Sequence, residues 1–592
     1  MASIVTYLAV IFIAFFLGKR VLDLLVPGEQ RTALEDLFFS LSLGLGTMGL
    51  IILAVGLAGF LTAPVLYGLL FLGLVLSFRE AGAYLKWRVS FQRIRSAWPH
   101  LKLSWLEIIL VVQLLAVFFF CFLYILAPIY CKFAIDITLY HFLLPKLYAD
   151  HHAIFHVPGK MESEWPFLIE MFVSLGLVMK SEALAKMLVL TLNPLAGLAV
   201  FLYSSRQYIT LRQAVITGVV FFSIPFIALL MPLPLVDLPL TLYVFLSLHA
   251  LLNWSHGGNR GWLMVAGILI GFACGIKISG LIFFFFLLIL IVVIAFAKKK
   301  MSLKQLGSNV LLFSFFAAAL MSPWYIKSFV HTGNPCYPFL SGWFTELGLQ
   351  KYPILFGEDY GGAFSLSRLL QFPWDVTMNM KKYGGSIGPW FLAIMPFAVY
   401  HYRKSQNLLS LSLWLSLAFI LAINAFGIPN MEHVRYVMPL LLISSVPVAV
   451  TIDALSAKGG ILRFTVITCI CVMSLLTPTY LTHKYADLFP QALGVESKEA
   501  FLARTHPAYE IIQFANRRLP DTVVIQLNGH DGLGYFSEKE FLVSNLTPQT
   551  RRATHIIIED ASFPALRQQG MAGRYKEIYK KDGIGLYKIV GN

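Results

Sequence analysis

Charge is scarce in this chain. Only 13% of its 592 residues are Asp, Glu, Lys or Arg, while 58% are hydrophobic. A soluble domain carries about 25% charged residues, so this deficit excludes a soluble globular protein. The six cysteines are scattered (Cys121, Cys131, Cys274, Cys336, Cys469 and Cys471), and no C-x-x-C pair with matching histidines indicates a metal site. Tandem repeats and low-complexity tracts are missing as well. The apolar runs are unbroken rather than alternating with polar residues, which excludes a transmembrane β-barrel.

What the chain has is long apolar runs. They lie near 3–18, 35–58, 61–78, 104–127, 184–204, 213–231, 236–254, 262–279, 281–297, 305–325, 388–401, 407–427, 435–453 and 463–481. A run of about 20 such residues crosses a hydrocarbon core of about 30 Å. The expected fold is a polytopic α-helical membrane protein of roughly fourteen transmembrane helices. The first run is short enough for a signal peptide, but it is expected to be a span, because Lys19 and Arg20 follow its apolar core instead of preceding it.

The net charge of +15 would suit nucleic acid. Its distribution argues for a membrane instead, with no nucleic-acid partner. Basic residues cluster at Arg79 to Lys102, Arg206 and Arg212, Lys298 to Lys304, Arg403 and Lys404, and Lys458 and Arg463. If 79–102 is cytoplasmic, strict alternation of spans places every cluster in the cytoplasm, as lysine and arginine prefer. This holds if "PFLIEMFVSLGLVMK" (166–180) lies in the outer interface as a helix and does not cross. The N-terminus, loops 128–183 and 326–387, and everything after 482 are then extracytoplasmic. Expected units are 1–103 (three helices and a basic loop), 104–482 (the larger membrane module) and 483–592. The last contains "HPAYEIIQFANRRLP", an amphipathic helix, and "TVVIQLNG", "ATHIIIED" and "IGLYKIV", three strands. It reads as a small α/β domain without a Gly-rich phosphate loop, most simply a lid or docking module.

Ionisable residues gather where spans reach the outer face. Asp136, Tyr140 and His141 follow the run ending at 127. On a regular helix Lys132, Asp136 and Tyr140 share one face and His141 points well round from it. The bland alternative is an Asp136–Lys132 surface pair, worth little. Asp237 opens a span amid prolines and leucines, and a carboxylate inside a membrane protein is a functional candidate by default. Lys277 falls near the outer end of its span, where snorkelling is the bland explanation. Lys327 and His331 leave the membrane before a Gly-Asn-Pro turn, and Arg368 shares that outer segment. Glu432, His433 and Arg435 begin an outer helix, where cations oppose the helix dipole and need another partner. A salt bridge to Glu432 or a headgroup anchor would serve Arg435, but so would a bound anion. Together these residues suit a lipid-linked phosphate: the tail lies in the bilayer, and the phosphate needs Arg, Lys or His at headgroup level.

In sequence order, "DITLYHFLLPKLY", "VPGKMESEWPFLIEM", "VDLPLTLY", "GFACGIKISGL" and "PWYIKSFVHTGNPCYPF" resemble the GT-C glycosyltransferases. These are integral-membrane enzymes that use polyprenyl-phosphate sugars. The likeness is to bacterial relatives of protein O-mannosyltransferases and lipid A aminoarabinose transferases, and covers roughly 104–482, the tail more loosely. It implies an enzyme of the bacterial inner membrane. That enzyme moves a sugar from a polyprenyl-phosphate donor to a lipid, glycan or protein hydroxyl at the outer face, with inversion. A long first external loop would carry the catalytic acid, and Asp136 matches that position. Asp237, Tyr140, His141, Glu164, Lys277, His331, Arg368, His433 and Arg435 are expected to bind substrate. Two departures stand out: spans within 1–78 precede the family's usual start, and no second acid follows Asp136, unless Glu162 or Glu164 supplies one. The sequence requires no cofactor; Asp136, Asp237 and Glu164 could share a divalent cation, though no spacing demands it. The rival readings are a transporter or flippase for lipid-linked or anionic solutes, whose sites sit at mid-membrane and whose folds show repeats, and a non-catalytic assembly protein.

Overall fold

The computed structural model describes residues 1–84, 104–129, 134–298, 301–352, 366–379, 384–402, 410, 414, 416–418, 434–506, 508–527, 530–542, 552–560 and 575–590. Among the described residues, seven helices are long and apolar enough to cross a membrane. They are Ala2–Leu25, Ala33–Leu57, Trp105–Leu126, Asp237–Gly257, Leu303–Thr332, Val434–Ala457 and Arg463–Tyr485. Shorter apolar helices include Leu211–Phe222, Arg260–Ile276 and Gly280–Phe296. The protein is thus a multi-pass, helical membrane protein with a small C-terminal sheet. The run at 407–427 lies largely outside the described residues.

Two expected spans are broken, for reasons visible in their prolines. The 184–204 run folds as the short helices Glu182–Leu190, Leu192–Leu198 and Phe201–Ser205. Asn193 stands beside Pro194, and its amide donates to the carbonyls of Met231 (2.9 Å) and Leu233 (3.0 Å). The 213–231 run stops at Phe222 and restarts at Pro225, because proline disfavours helix in the residue before it. A further difference is the helix Glu170–Val178. Its residues Glu170 to Gly176 are buried within the protein, where an interfacial helix was expected.

Lipid tails are as apolar as leucine, so helices in a bilayer associate through close packing and polar contacts. Helices Ala2–Leu25 and Ala33–Leu57 meet almost backbone to backbone. A Cβ on Gly44 would lie 1.7 Å from the Ala14 carbonyl oxygen, and one on Gly18 would lie 1.8 Å from that of Ser40. Asp237–Gly257 is the central pillar and is buried in protein from Asp237 to Ser255. At the end remote from Asp237, its His249 and Asn253 reach the Glu35 carboxylate (Nε2 to Oε1 2.9 Å, Nδ2 to Oε1 2.6 Å). Arg206 closes on the same carboxylate through Nε and Nη2, both at 2.7 Å. Glu35 also caps its own helix by accepting from the Thr32 amide. At about 1.5 Å per residue, His249 lies about 18 Å along the helix from Asp237. The two charged clusters therefore occupy opposite ends of the bundle.

The C-terminal sheet has strand order β2-β1-β3-β5-β4, with β1 (Val524–Gln526), β2 (Glu540–Leu542), β3 (His555–Glu559), β4 (Tyr575–Lys581) and β5 (Ile584–Ile589). β1 runs parallel to both β2 and β3; the β3–β5 and β5–β4 pairs are antiparallel. Helix Tyr509–Arg518 packs Ile511, Ile512 and Ala515 against Ile525, Ile557 and Leu586.

Candidate active site

The chain leaves helix Trp105–Leu126 under the control of a buried lysine. Lys186 donates to the Ala127 and Tyr124 carbonyls at that helix's C-terminus, where a cation is favoured. Asp136 then begins a wide helical turn, Ile137–His141, closed by the Phe142 amide donating to the Ile137 carbonyl five residues back (2.9 Å). Turns of this width recur at functional sites. The widening has a consequence that regular helix spacing misses: Tyr140 and His141 both line one cavity, with ring centres 4.2 Å apart.

Four charged residues from four separate segments meet beside that cavity. Arg435 lies in the turn Val434–Val437, which opens the Met438–Ala457 helix. Its Nη1 donates to Asp136 Oδ2 at 2.6 Å, and its Nη2 stands 3.3 Å from Asp237 Oδ2. Lys277, at the end of Arg260–Ile276, donates to Asp237 Oδ1 at 2.8 Å. The Lys277 ammonium also sits 4.5 Å from the centre of the Tyr436 ring, a cation–π contact. Asp237, the first residue of its helix, is fully buried, whereas Asp136 and Arg435 are about a fifth exposed. Burial by itself would raise the Asp136 carboxyl, but the Arg435 charge, backed by His141 and Lys277, outweighs it and holds the group below its usual value.

Tyr140, His141, Trp165, Phe167, Glu170, Lys277, Ser279 and Tyr436 line the cavity. His141 Nδ1 lies 2.7 Å from Glu170 Oε1. Among the described residues, the other ring nitrogen and the other carboxylate oxygen of this buried pair have no hydrogen-bond partner. Glu170 had not been singled out as a site residue. Its signal was available: one carboxylate within "FLIEMFV", on a helix otherwise apolar and buried.

Glu164 and His331 belong to a separate cluster. His156 Nδ1 is 2.7 Å from Glu164 Oε1, and His331 Nδ1 is 3.0 Å from Oε2. Burial pushes the Glu164 carboxyl up, but hydrogen bonds from His156 and His331 prevail and bring it down to about 2. Lys327 supports the same loop by donating to the carbonyls of Ser163 (2.5 Å) and Trp165 (3.3 Å). The cluster fastens the first loop to the end of helix Leu303–Thr332. A carboxyl depressed from 4.5 to about 2 adds stability that is present above pH 4.5 and lost as pH falls through about 2. Glu164→Gln is therefore expected to cost the solubilised protein up to about 3 kcal/mol at neutral pH. It should also flatten the decline in thermal midpoint across that acid window. An unchanged midpoint would remove the fastening role.

The remaining site residues lie beyond this geometry. Arg368 is on helix Leu366–Met378, with its side chain outside the described residues. His433 also lies outside them, as do Lys132, Glu432 and Cys131. Among the described residues, no three His, Cys, Asp or Glu side chains converge as a metal site would require.

No family model and no curated protein matches the sequence. Solved structures do match in fold. ArnT from Cupriavidus metallidurans bound to undecaprenyl phosphate superposes with a TM-score of 0.54 at 12% identity, over 82% of this chain and 97% of that one. Its apo state gives 0.52 at 12% identity, over 81% and 97%. The apo oligosaccharyltransferase of Archaeoglobus fulgidus aligns more loosely, at 0.48 and 14% identity over 82% and 75%. The fold of this chain, nearly end to end along ArnT, is that of the GT-C glycosyltransferases.

Proposed function

We propose that this protein transfers a sugar from a polyprenyl-phosphate donor to an acceptor hydroxyl at the extracytoplasmic face of the bacterial inner membrane. The observation that carries this reading is the meeting of Asp136, Asp237, Lys277 and Arg435 from four distant segments at one end of the helix bundle. ArnT, which has the same fold, has been captured with undecaprenyl phosphate. A fold of this kind does not favour the transporter reading.

The chemistry asked of the site is modest. The acceptor oxygen attacks the anomeric carbon as the bond from that carbon to the phosphate oxygen breaks. The polyprenyl phosphate leaves as a stable anion and needs no general acid, since its second pKa is about 6. Asp136 takes the hydroxyl proton. Arg435 and Lys277 neutralise charge gathering on the leaving phosphate, while Asp237 holds both cations at headgroup depth. With no donor bound, Arg435 is shared between two carboxylates. The donor's phosphate is a diester with one negative charge, and it gains nearly a second as the sugar leaves, so it is the leaving phosphate that pulls hardest on the fork. That pull would turn Arg435 toward the phosphate and free the Asp136 oxygen for the acceptor's proton. The Glu170-held His141 and the Tyr140 and Trp165 rings then form the wall against which the sugar lies. Single displacement inverts the anomeric centre.

The direct test is release of polyprenyl phosphate from a lipid-linked sugar by the reconstituted protein. Mass spectrometry of lipids and glycans from cells with and without the protein then names sugar and acceptor. Sidedness is checked separately. Thr522→Cys, on the exposed surface of the C-terminal domain, should react with an impermeant maleimide on intact spheroplasts. Labelling only after lysis would put the site on the cytoplasmic face.

A further inference from the structure

The C-terminal domain meets the membrane module at several places, among them Phe489 against Phe119 and Phe120, and the loop Asp531–Phe536. That loop is laid directly over the turn that begins at Asp136. A Cβ built on Gly532 would fall 2.6 Å from Thr138 Oγ1, closer than any real Cβ contact. Gly532 is not there for backbone reasons: its φ lies outside the left-handed region, so alanine could adopt the same conformation. The three atoms nearest to such a Cβ all belong to Thr138. The contact is pinned on both sides. Lys160, almost wholly buried, pairs with Asp531 at 3.1 Å. Tyr535 donates to Glu182 Oε1 at 2.8 Å and packs edge-on against Phe142. Lys146, just past the turn, donates to the Ser537 carbonyl at 3.1 Å. Just before it, the Ile129 carbonyl meets His506 Nε2 at 3.0 Å. Thr138 is in turn tied to the segment before Asp136, donating to the Ile135 carbonyl at 3.3 Å.

We infer that Gly532 is a positioning residue for the active site. The C-terminal domain acts as a template that sets the height of the Ile137–His141 turn, and with it the Asp136 carboxylate, through van der Waals contact between Gly532 and Thr138. The claim rests on the glycosyl-transfer reading for its kinetic consequence but not for its structural one. A base displaced by about 1 Å loses about 10²-fold in rate, whereas a lid or tether would tolerate one added methyl group.

The experiment uses full-length reconstituted protein in four forms: wild type, Gly532→Ala, Thr138→Ala and the double variant. Gly532→Ala should lower kcat by about ten-fold or more, with KM for the lipid-linked donor held within about two-fold. Removing the opposing hydroxyl should restore the rate, so that the double variant returns to the level of Thr138→Ala. Hydrogen exchange of the Ile137–His141 amides is read alongside, whether or not the chain turns over. It should quicken in Gly532→Ala and recover in the double variant. A Gly532→Ala protein with wild-type kcat and exchange overturns the proposal, as does a double variant no better than Gly532→Ala in either readout. If exchange follows the expected pattern while wild type releases no polyprenyl phosphate, the positioning stands and the reaction assigned to the site falls.

Discussion

Asp136→Asn should lower kcat for sugar transfer by about 10²–10⁴-fold while leaving binding of the lipid-linked donor intact. The substitution keeps the size and shape of the side chain and removes only its capacity to accept a proton. Arg435 retains Asp237 as a partner at 3.3 Å, so the cation pair that would receive phosphate stays assembled. Donor affinity should hold or improve, because one negative charge near the phosphate has gone. The measurement is single-turnover release of polyprenyl phosphate together with equilibrium binding of a non-transferable donor analogue. Turnover within about three-fold of wild type would show that the carboxylate is not the base. Loss of donor binding in proportion to rate would make Asp136 a binding group instead.

The second large effect belongs to Arg435, where two substitutions separate its two jobs. Arg435→Lys keeps the charge and loses the planar fork that reaches Asp136 through one nitrogen and Asp237 through another. It should lower kcat/KM by about 10²–10³-fold, the usual cost of one donor that serves a developing oxyanion. The acid limb of its pH–rate profile should stay near that of wild type. Arg435→Met removes the charge too. The Asp136 carboxyl is held down against burial chiefly by that charge, so without it burial is less opposed and the pKa rises. A base that protonates at higher pH is lost earlier on acidification. The acid limb of kcat/KM in Arg435→Met must therefore move upward, and a downward or absent shift would contradict the pairing. A kcat/KM for Arg435→Lys equal to wild type would remove Arg435 from the phosphate site.

Much of this site is legible in the sequence because ionisable residues are so costly beside lipid. Asp237 and Lys277 stand out against apolar runs, and their being at span ends places them at one depth. The partnerships are another matter. Asp136 and Arg435 are 299 residues apart, and no local pattern brings them together; only the fold does. The Glu164 cluster shows the limit from the other side. Its acid was read as a second group for the active site, but His156 and His331 claim it, and His156 gave no signal in a loop full of histidines. In the C-terminal domain the buried strands β1, β3 and β5 are apolar runs and plainly readable. β4, "YKEIYKK", is an edge strand whose lysines and glutamate disguise it, as charged edges commonly are. Its turn into β5 was nonetheless written in Asp582-Gly583, both at positive φ.

Of the seven long apolar helices, the pillar Asp237–Gly257 is the least apolar and the most enclosed. The two facts explain each other in the finished protein: a helix enclosed by protein can carry Asp237, His249 and Asn253, since each has a protein partner that offsets its burial. During synthesis the same helix is a poor candidate to enter the bilayer unaided, because an aspartate or an imidazole in a lone segment opposes partitioning from the translocon. Its neighbours emerge in a useful order. Glu35 and Arg206 are made before it, ready to receive His249 and Asn253, whereas Lys277 and Arg435 are made after it. The pillar can thus be drawn in from the end remote from the active site first, and Asp237 acquires its cations only once the later helices arrive. The residue that gathers Lys277 and Arg435 is the last part of that helix to be neutralised.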